Sequence, residues 1–599
     1  MCFWLFDPFL NNQYLTMKFT GKNIQDFFFT QVEHETDVFK CNKCRSNYKS
    51  PKGYTNLHNH VIRCHGVGWE DRLEKHLQKY QVDMKPDGSI GASAMEQSII
   101  KSFYSSNEKE LRAYQWIKWL AMRNMPLCEI ENPLTRKLAK IEPFSAKTIR
   151  KYIIATAKET EQAISLELKE AGKVTLLMDG WTCDGASTHY IAIFAGYKHP
   201  KSGEYNEVLL ALSPTLEEDD LGADAHIDLF ESTIDLYGNS KDDIACIIGD
   251  NCNTNKAIST RWDIPMVGCA SHRLNLAVKQ WIDSHGNIAE AIEKVSTLMA
   301  KASNLKTAAR LRELTLDYHG VSLKAVRENV TRWTSVFSMV KRYLRIKQQL
   351  DDCDGLAPFL LDGPQHNLIK KVNEDFEIFH MITSEIQAKG VNLLHVRLQF
   401  GTLCADPRYA CMREYLNSAA VIVQSKHFES GVRNIILGNH TNLTDDEREA
   451  VERLIDPKKL EAQQEALQQE LQEGGGDGGG TAGRGGARAH VLSLKEKLAL
   501  NIKKRKIGAD LPGNVTAESM SVYVDVGKLI CATSNCCERL FSEAKYIMLP
   551  HRRSMSPIVF EALIYLKKNE KFWNVKTVAV AMKRSLEDDR DDDIYYQED

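Results

Sequence analysis

VTLLMDGWTCDG, residues 174–185, decides how this chain is read. The apolar, strand-forming run Val174–Met178 meets a carboxylate at Asp179, followed by Gly180 and the bulky Trp181. Asp-Gly is a common turn dipeptide, so a plain turn is one explanation. The flanking sequence supplies another. THYIAIFAGY (188–197), YNEVLLALS (205–213) and DIACIIGD (243–250) read as three further strands. Between the last two lies ADAHIDLFESTIDLYG (223–238), with helical period and a stop at Gly238. The first strand is thus expected to end at Asp179 and the fourth at Asp250. Carboxylates at the ends of neighbouring strands repel unless cations lie between them. Hard oxygen donors of this kind suit Mg²⁺ or Mn²⁺. Two such ions about 4 Å apart activate a nucleophile and stabilise the leaving oxygen in phosphodiester chemistry. Asp250 followed by Asn251 also reads as an ordinary cap of the next helix.

The rest of the chain sets bounds on this reading. Its 599 residues exceed what one core can organise, so several domains are expected. Hydrophobic residues make up 43% and charged residues 26%, ordinary for a globular protein. A net charge of −3 gives no global sign of nucleic-acid binding, so any basic surface must be local. Fifteen scattered cysteines do not form a disulfide framework and suit a reducing compartment. No apolar run spans a bilayer. The opening MCFWLFDPFL lacks a basic n-region and is broken by Asp7 and Pro8, so it does not read as a signal peptide; Met17 is an alternative start.

FKCNKCRSNYKSPKGYTNLHNHVIRCH (39–65) carries Cys41 and Cys44 at knuckle spacing, then His60 and His65 on one helical face. Four N/S donors in that pattern predict a closed, structural zinc site that supplies much of the unit's folding energy. His58 and Cys64 are neighbouring spares. Lys40, Lys43, Arg45, Lys49, Lys52 and Arg63 give the unit a basic surface for phosphates. The segment resembles a BED-type zinc finger, which implies DNA binding.

Helical patterns occupy LRAYQWIKWLAM (111–122) and FSAKTIRKYIIATAKETEQAI (144–164), with Ser145 as the expected N-cap of the second. CASHRLNL opens a helix at 269, placing His272 and Arg273 where N-terminal backbone donors favour phosphate; a buried Cys and a cap-region His are the plain alternative. TRWTSVFSMVKRYL (331–344) places Arg332 and Trp333 at a helix start. LPHRRSMSP (549–557) groups His551, Arg552 and Arg553, read as phosphate contacts or as a solvated basic turn. The Gln/Glu-rich stretch 460–474 runs into a Gly-rich linker, and LEDDRDDDIYYQED (586–599) reads as a disordered acidic tail.

DGWT (179–182), GDNCNTN (249–255), CASHRLNLAVK (269–279), TRW (331–333) and NCCERLFSEAKYIMLPHRRSMSP (535–557), in this order, resemble the hAT superfamily of cut-and-paste DNA transposases. The resemblance implies an α/β multidomain protein. Its RNase H-like catalytic core is interrupted by an all-α insertion domain, and a small zinc finger precedes it. It also implies a D-D-E triad binding two Mg²⁺ or Mn²⁺ ions. Asp179 and Asp250 match the aspartates and Glu538 the glutamate, with Glu543 as the rival position. By the same resemblance Cys269 and His272 lie near the active site. Trp333 stacks on a flipped base beside the cut, or else is a core tryptophan. A C-terminal dimerisation helix presents Val559, Phe560, Leu563, Ile564 and Leu566.

The expected organisation is an N-terminal extension (1–37), the finger (38–68), a linker (69–110), a helical DNA-binding or dimerisation region (111–171) and the first part of the core (172–282). A helical insertion (283–457), the linker (458–490), the C-terminal core helix with the dimerisation region (491–575) and the tail (576–599) follow. The expected cofactors are structural Zn²⁺ and catalytic Mg²⁺ or Mn²⁺. The expected partners are double-stranded DNA, in the form of transposon terminal inverted repeats, and a second copy of the chain, with no membrane. KKRK (503–506) is a short basic candidate for nuclear import. The alternative function is a domesticated, catalytically silent DNA-binding dimer that regulates transcription.

Overall fold

Short alternating stretches flank the Cys/His segment, and in the computed structural model they pair. Residues 28–31, 38–44, 46–49, 57, 60–61, 108–183, 188–214, 222–328, 332–463, 465, 494–506, 521–548 and 555–595 are described. The chain divides into two compact units, residues 1–100 and 101–599. In the first, β1 (Phe29–Gln31), β2 (Val38–Cys41) and β3 (Asn47–Lys49) form an antiparallel sheet in that order. Phe28, Phe29, Phe39, Leu57 and Val61 are its core, with Tyr48 packed against them. The finger therefore begins upstream of the expected boundary at 38, because Phe28 and Phe29 supply apolar area that the segment 38–68 lacks.

In the second unit, β4 (Val174–Thr182), β5 (His189–Lys198) and β6 (Tyr205–Pro214) form an antiparallel meander. The chain then runs through the helix Ala223–Leu236 and returns as β7 (Ile244–Gly249), parallel to β4. A short β8 (Met266–Gly268) extends the parallel side, giving the order β6-β5-β4-β7-β8. Its three residues were too few to read as a strand from sequence. The helix before β7 ends near Gly238, whose φ of +68° is the left-handed conformation glycine favours.

Strand β4 does not stop at Asp179. Its pairing with β5 continues through Asp179↔Ala192, Gly180↔Ile191, Trp181↔Tyr190 and Thr182↔His189. On the other side, pairing with β7 ends at Leu177↔Ile248. Asp179 therefore sits where β4 loses one neighbour and keeps the other.

The long helix Ala146–Ala171 starts at Ser145, whose hydroxyl accepts from the Thr148 N–H at 3.0 Å. It packs against the helices Pro557–Lys568 and Val575–Tyr595, and the latter also meets Glu108–Arg123. Residues 111–171 thus share one core with the C-terminal segment instead of forming a separate domain. Val559, Phe560, Leu563, Ile564 and Leu566 are all buried in that core, so the expected dimerisation face is covered by its own chain. The acidic tail is also corrected: a helix runs to Tyr595, anchored by buried Val578, Ala581 and Met582 and by the Arg584–Glu159 ion pair.

Residues 286–451 form helices, among them Gly286–Ala302, Leu305–His319, Trp333–Asp351, Gly363–Ile386, Leu393–Cys404 and Lys426–Ile436. Helix Leu494–Lys506, which ends on KKRK, packs on Leu393–Cys404. The Gly-rich linker lies outside the described residues. No helix among the described residues is long and apolar enough to cross a membrane.

Candidate functional sites

The parallel register carries Asp179 and Asp250 to equivalent positions. Leu177 faces Ile248, and each aspartate lies two residues further on. Adjacent strands run about 5 Å apart and side chains alternate, so the two carboxylates leave the same face of the sheet. Thr175, Leu177, Asp179 and Trp181 share that face. The C-terminal segment covers it: the Thr175 hydroxyl donates to the Leu529 carbonyl at 3.1 Å, and Trp181 stacks on Phe541 at 5.8 Å.

Phe541 lies one turn after Glu538 on the helix Asn535–Ile547. The Trp181–Phe541 stack therefore fixes the turn that carries Glu538. Glu538 is acidic in a first helical turn, where the peptide dipoles favour negative charge. The rival Glu543 points elsewhere, to Lys568 at 2.9 Å and Lys567 at 3.9 Å.

Asp179 registers this crowding. Burial pushes its carboxyl up to about 7; the Asp250 charge adds to this and Glu538 contributes less, while the Gly180 N–H and Arg332 oppose it. The Gly180 N–H donates to Asp179 Oδ1 at 2.9 Å. Asp250 accepts from Asn255 Nδ2 at 2.6 Å and from the Cys252 N–H at 3.4 Å. Glu538 receives Arg332 Nη1 at 3.0 Å.

A cavity of about 250 Å³ opens beside the aspartates, lined by Asp179, Asp250, His189, His226, Cys252 and Asn255 among others. Glu538 is not part of its lining. Among the described residues, the three carboxylates do not bring ligand atoms within 4.8 Å of one another as a group of three. The donor set nevertheless fits Mg²⁺ or Mn²⁺: hard oxygens only, with an acid held near 7 by uncompensated negative charge.

His189, His226 and Asn255 are cavity residues that the sequence reading missed. Asn255 was legible in principle, since it lies five residues after Asp250 on the first turn of the helix Asn253–Trp262. The histidines were not, because hairpin pairing and the helix Ala223–Leu236 bring them in. His189 sits over Gly180, where a Cβ would meet its Nε2 at 2.7 Å, so residue 180 must lack a side chain for this packing.

The expected DNA contacts divide. Arg332 is 58% exposed beside the centre. His272 is half-buried at the start of the helix Ala270–Asp283, which is tied in by Cys269 N–H to Gly249 O at 2.7 Å and Ala270 N–H to Ala532 O at 2.9 Å. Arg273 and Trp333 are corrected. Arg273 is 3% exposed and donates to the Tyr415 and Asn417 carbonyls at 2.8–3.1 Å. With Arg397 it faces Glu429, so its charge is compensated inside the fold. Trp333 is 3% exposed, within 6.1 Å of the Phe337, Phe376 and Phe379 rings. Its bulk and apolarity place it in the insertion's core. Arg552 and Arg553 lie outside the described residues.

In the N-terminal unit, ligand atoms of Cys41, Cys44 and His60 lie within 4.8 Å of one another. Cys44 Sγ is 3.5 Å from His60 Nε2. His60 stacks on Tyr48 at 4.1 Å, and burial lowers its pKa, favouring the neutral form a metal requires. Two thiols and an imidazole are soft-to-borderline donors that fit zinc. His65, the expected fourth ligand, lies outside the described residues.

No family model matches the chain, and no curated protein matches it.

Proposed function

We propose that this chain is a hAT-type DNA transposase, or a protein derived from one. In this reading it binds DNA through its zinc-bearing N-terminal unit and cuts and joins phosphodiester bonds at Asp179, Asp250 and Glu538. The observation that carries the reading is the in-register placement of Asp179 and Asp250 on adjacent parallel strands, with Glu538 on a helix fastened to the same face. The strand order β6-β5-β4-β7-β8, three antiparallel then two parallel, supports an RNase H-like core interrupted by the helical segment 283–457. The motifs in family order support the transposase assignment within that class.

Bound Mg²⁺ or Mn²⁺ would supply Lewis acidity and lower the pKa of an attacking water or 3′-hydroxyl. The chain's own residues do the rest. Asp179, Asp250 and Glu538 provide oxygen donors from three separate elements. Asn255 orients the Asp250 carboxylate through its 2.6 Å hydrogen bond. Arg332 is the exposed cation nearest Glu538 available to a phosphate. Double-stranded DNA with terminal inverted repeats is the proposed substrate, a nuclear setting follows from it, and self-association would use a surface other than the buried 559–566 face. The test is Mg²⁺-dependent nicking of terminal inverted-repeat DNA by the parent and by Asp179→Asn. Nicking by the parent alone is expected. Equal nicking by both, or none from either, refutes the enzyme and leaves the DNA-binding regulator.

A further inference from the structure

The Arg332–Glu538 pair has a feature that a structural ion pair does not need. Arg332 is 58% exposed and Glu538 31%, so water reaches both groups. Pairs of this kind hold weakly and are readily exchanged. Arg332 also acts beyond its partner, since its charge draws the Asp179 carboxyl downward against the two neighbouring acids. One guanidinium thus partly neutralises two carboxylates that would otherwise face each other across the centre.

The backbone beneath Arg332 is held firmly. The adjacent Trp333 is locked among Phe337, Phe376 and Phe379, and its N–H donates to Asn275 Oδ1 at 3.2 Å. A fixed backbone with a free side chain lets the guanidinium swing without moving the helix Trp333–Asp351. Its planar fork matches the geometry of phosphate oxygens.

Resting on the proposed reading of the carboxylate centre, we propose that Arg332 is a latch. It neutralises Glu538 before a divalent cation binds; when the cation takes that carboxylate, the guanidinium is released to a DNA phosphate. Cation binding and phosphodiester binding therefore reinforce each other. Arg332 acts here as a positioning and coupling residue.

The test follows Mn²⁺ binding by the loss of the free-ion electron paramagnetic resonance signal. It uses the full zinc-loaded chain as parent, Arg332→Gln, Arg332→Lys and Asp250→Asn, each checked for folding by circular dichroism. Without DNA, Arg332→Gln is expected to bind Mn²⁺ about 5-fold or more tightly than the parent, the lower end of ordinary coupling between sites. Arg332→Lys keeps the charge and stays near the parent. A short duplex of arbitrary sequence, with its own Mn²⁺ uptake subtracted, tightens Mn²⁺ binding by the parent and not by Arg332→Gln. Mn²⁺ binding that Asp250→Asn loses but Arg332→Gln leaves at parental affinity overturns the latch alone. So does a duplex effect of equal size in parent and Arg332→Gln. No Mn²⁺ bound by any folded protein overturns both the latch and the centre on which it rests.

Discussion

Replacing Asp179 by Asn should stabilise this protein, and by an amount that depends on pH. The folded carboxyl is pushed up to about 7 from an ordinary 3.8, with burial as the first cause and Asp250 as the second. At about 1.4 kcal/mol per tenfold, ionised Asp179 costs the fold up to about 4 kcal/mol. Local relaxation and water entry reduce this, and about 2 kcal/mol is expected. The sign follows from the raised acid. Below 3.8 the carboxyl is protonated both folded and unfolded, and it has no effect. Between 3.8 and about 7 the unfolded chain ionises while the folded chain holds its proton, so stability falls as pH rises. Above 7 the loss is complete and constant. Asn keeps an acceptor for the Gly180 N–H and removes the charge. The assay is urea unfolding followed by tryptophan fluorescence, at steps from pH 5 to pH 8.5 in buffer free of divalent cations. The advantage of Asp179→Asn should grow up to pH 7 and then level off. Added Mg²⁺ should stabilise the parent and leave the variant unchanged. An advantage independent of pH, or a variant less stable than the parent at pH 8, refutes the argument that buried negative charge crowds this strand end.

Phe541→Ala should remove the stack that fastens the Glu538 helix to Trp181, costing about 3 kcal/mol in unfolding and lowering nicking more than Phe541→Leu does. Arg273→Ala should lower stability by about 3 kcal/mol, because it leaves Glu429 with less buried compensation. In a fluorescence anisotropy titration its DNA affinity should stay at the parental value once folding is allowed for, whereas a surface phosphate contact would give the reverse. Removing zinc, or Cys44→Ser, should unfold the N-terminal unit, read by loss of the Tyr48 and His60 resonances in NMR spectra, and leave the melting of residues 101–599 unchanged.

Much of this architecture is legible along the chain because the signals are local. The Ser145 cap, the helix over 223–236 with its glycine stop and four of the strands follow from period and punctuation, which act over a few residues. The Cys41/Cys44 knuckle is a spacing rule, and so is its expected partnership with His60. The placement of side chains was less accessible. Arg273 and Trp333 stand in motifs that suggest DNA contact, yet both turn inward. The partners that bury them are Tyr415, Asn417 and Glu429 for one and Phe376 and Phe379 for the other, all distant in sequence. The acidic end looked structureless because charge density outweighs its few apolar residues. Only the groove against Ala146–Ala171 gives Val578, Ala581 and Met582 something to bury against.

Residue order alone determined the kinds of element and the chemistry they could carry: oxygen donors at 179 and 250, thiols and imidazoles near the start, a run of helices between. Tertiary structure decided register and neighbourhood. Asp179 and Asp250 face the same way because Leu177 pairs with Ile248. Glu538 joins them, rather than Glu543, because Phe541 packs on Trp181 while Lys568 draws Glu543 away. A strand's periodicity specifies which residues alternate, but pairing with another strand is a long-range choice made by total burial. Such choices leave no trace in the spacing of any one segment.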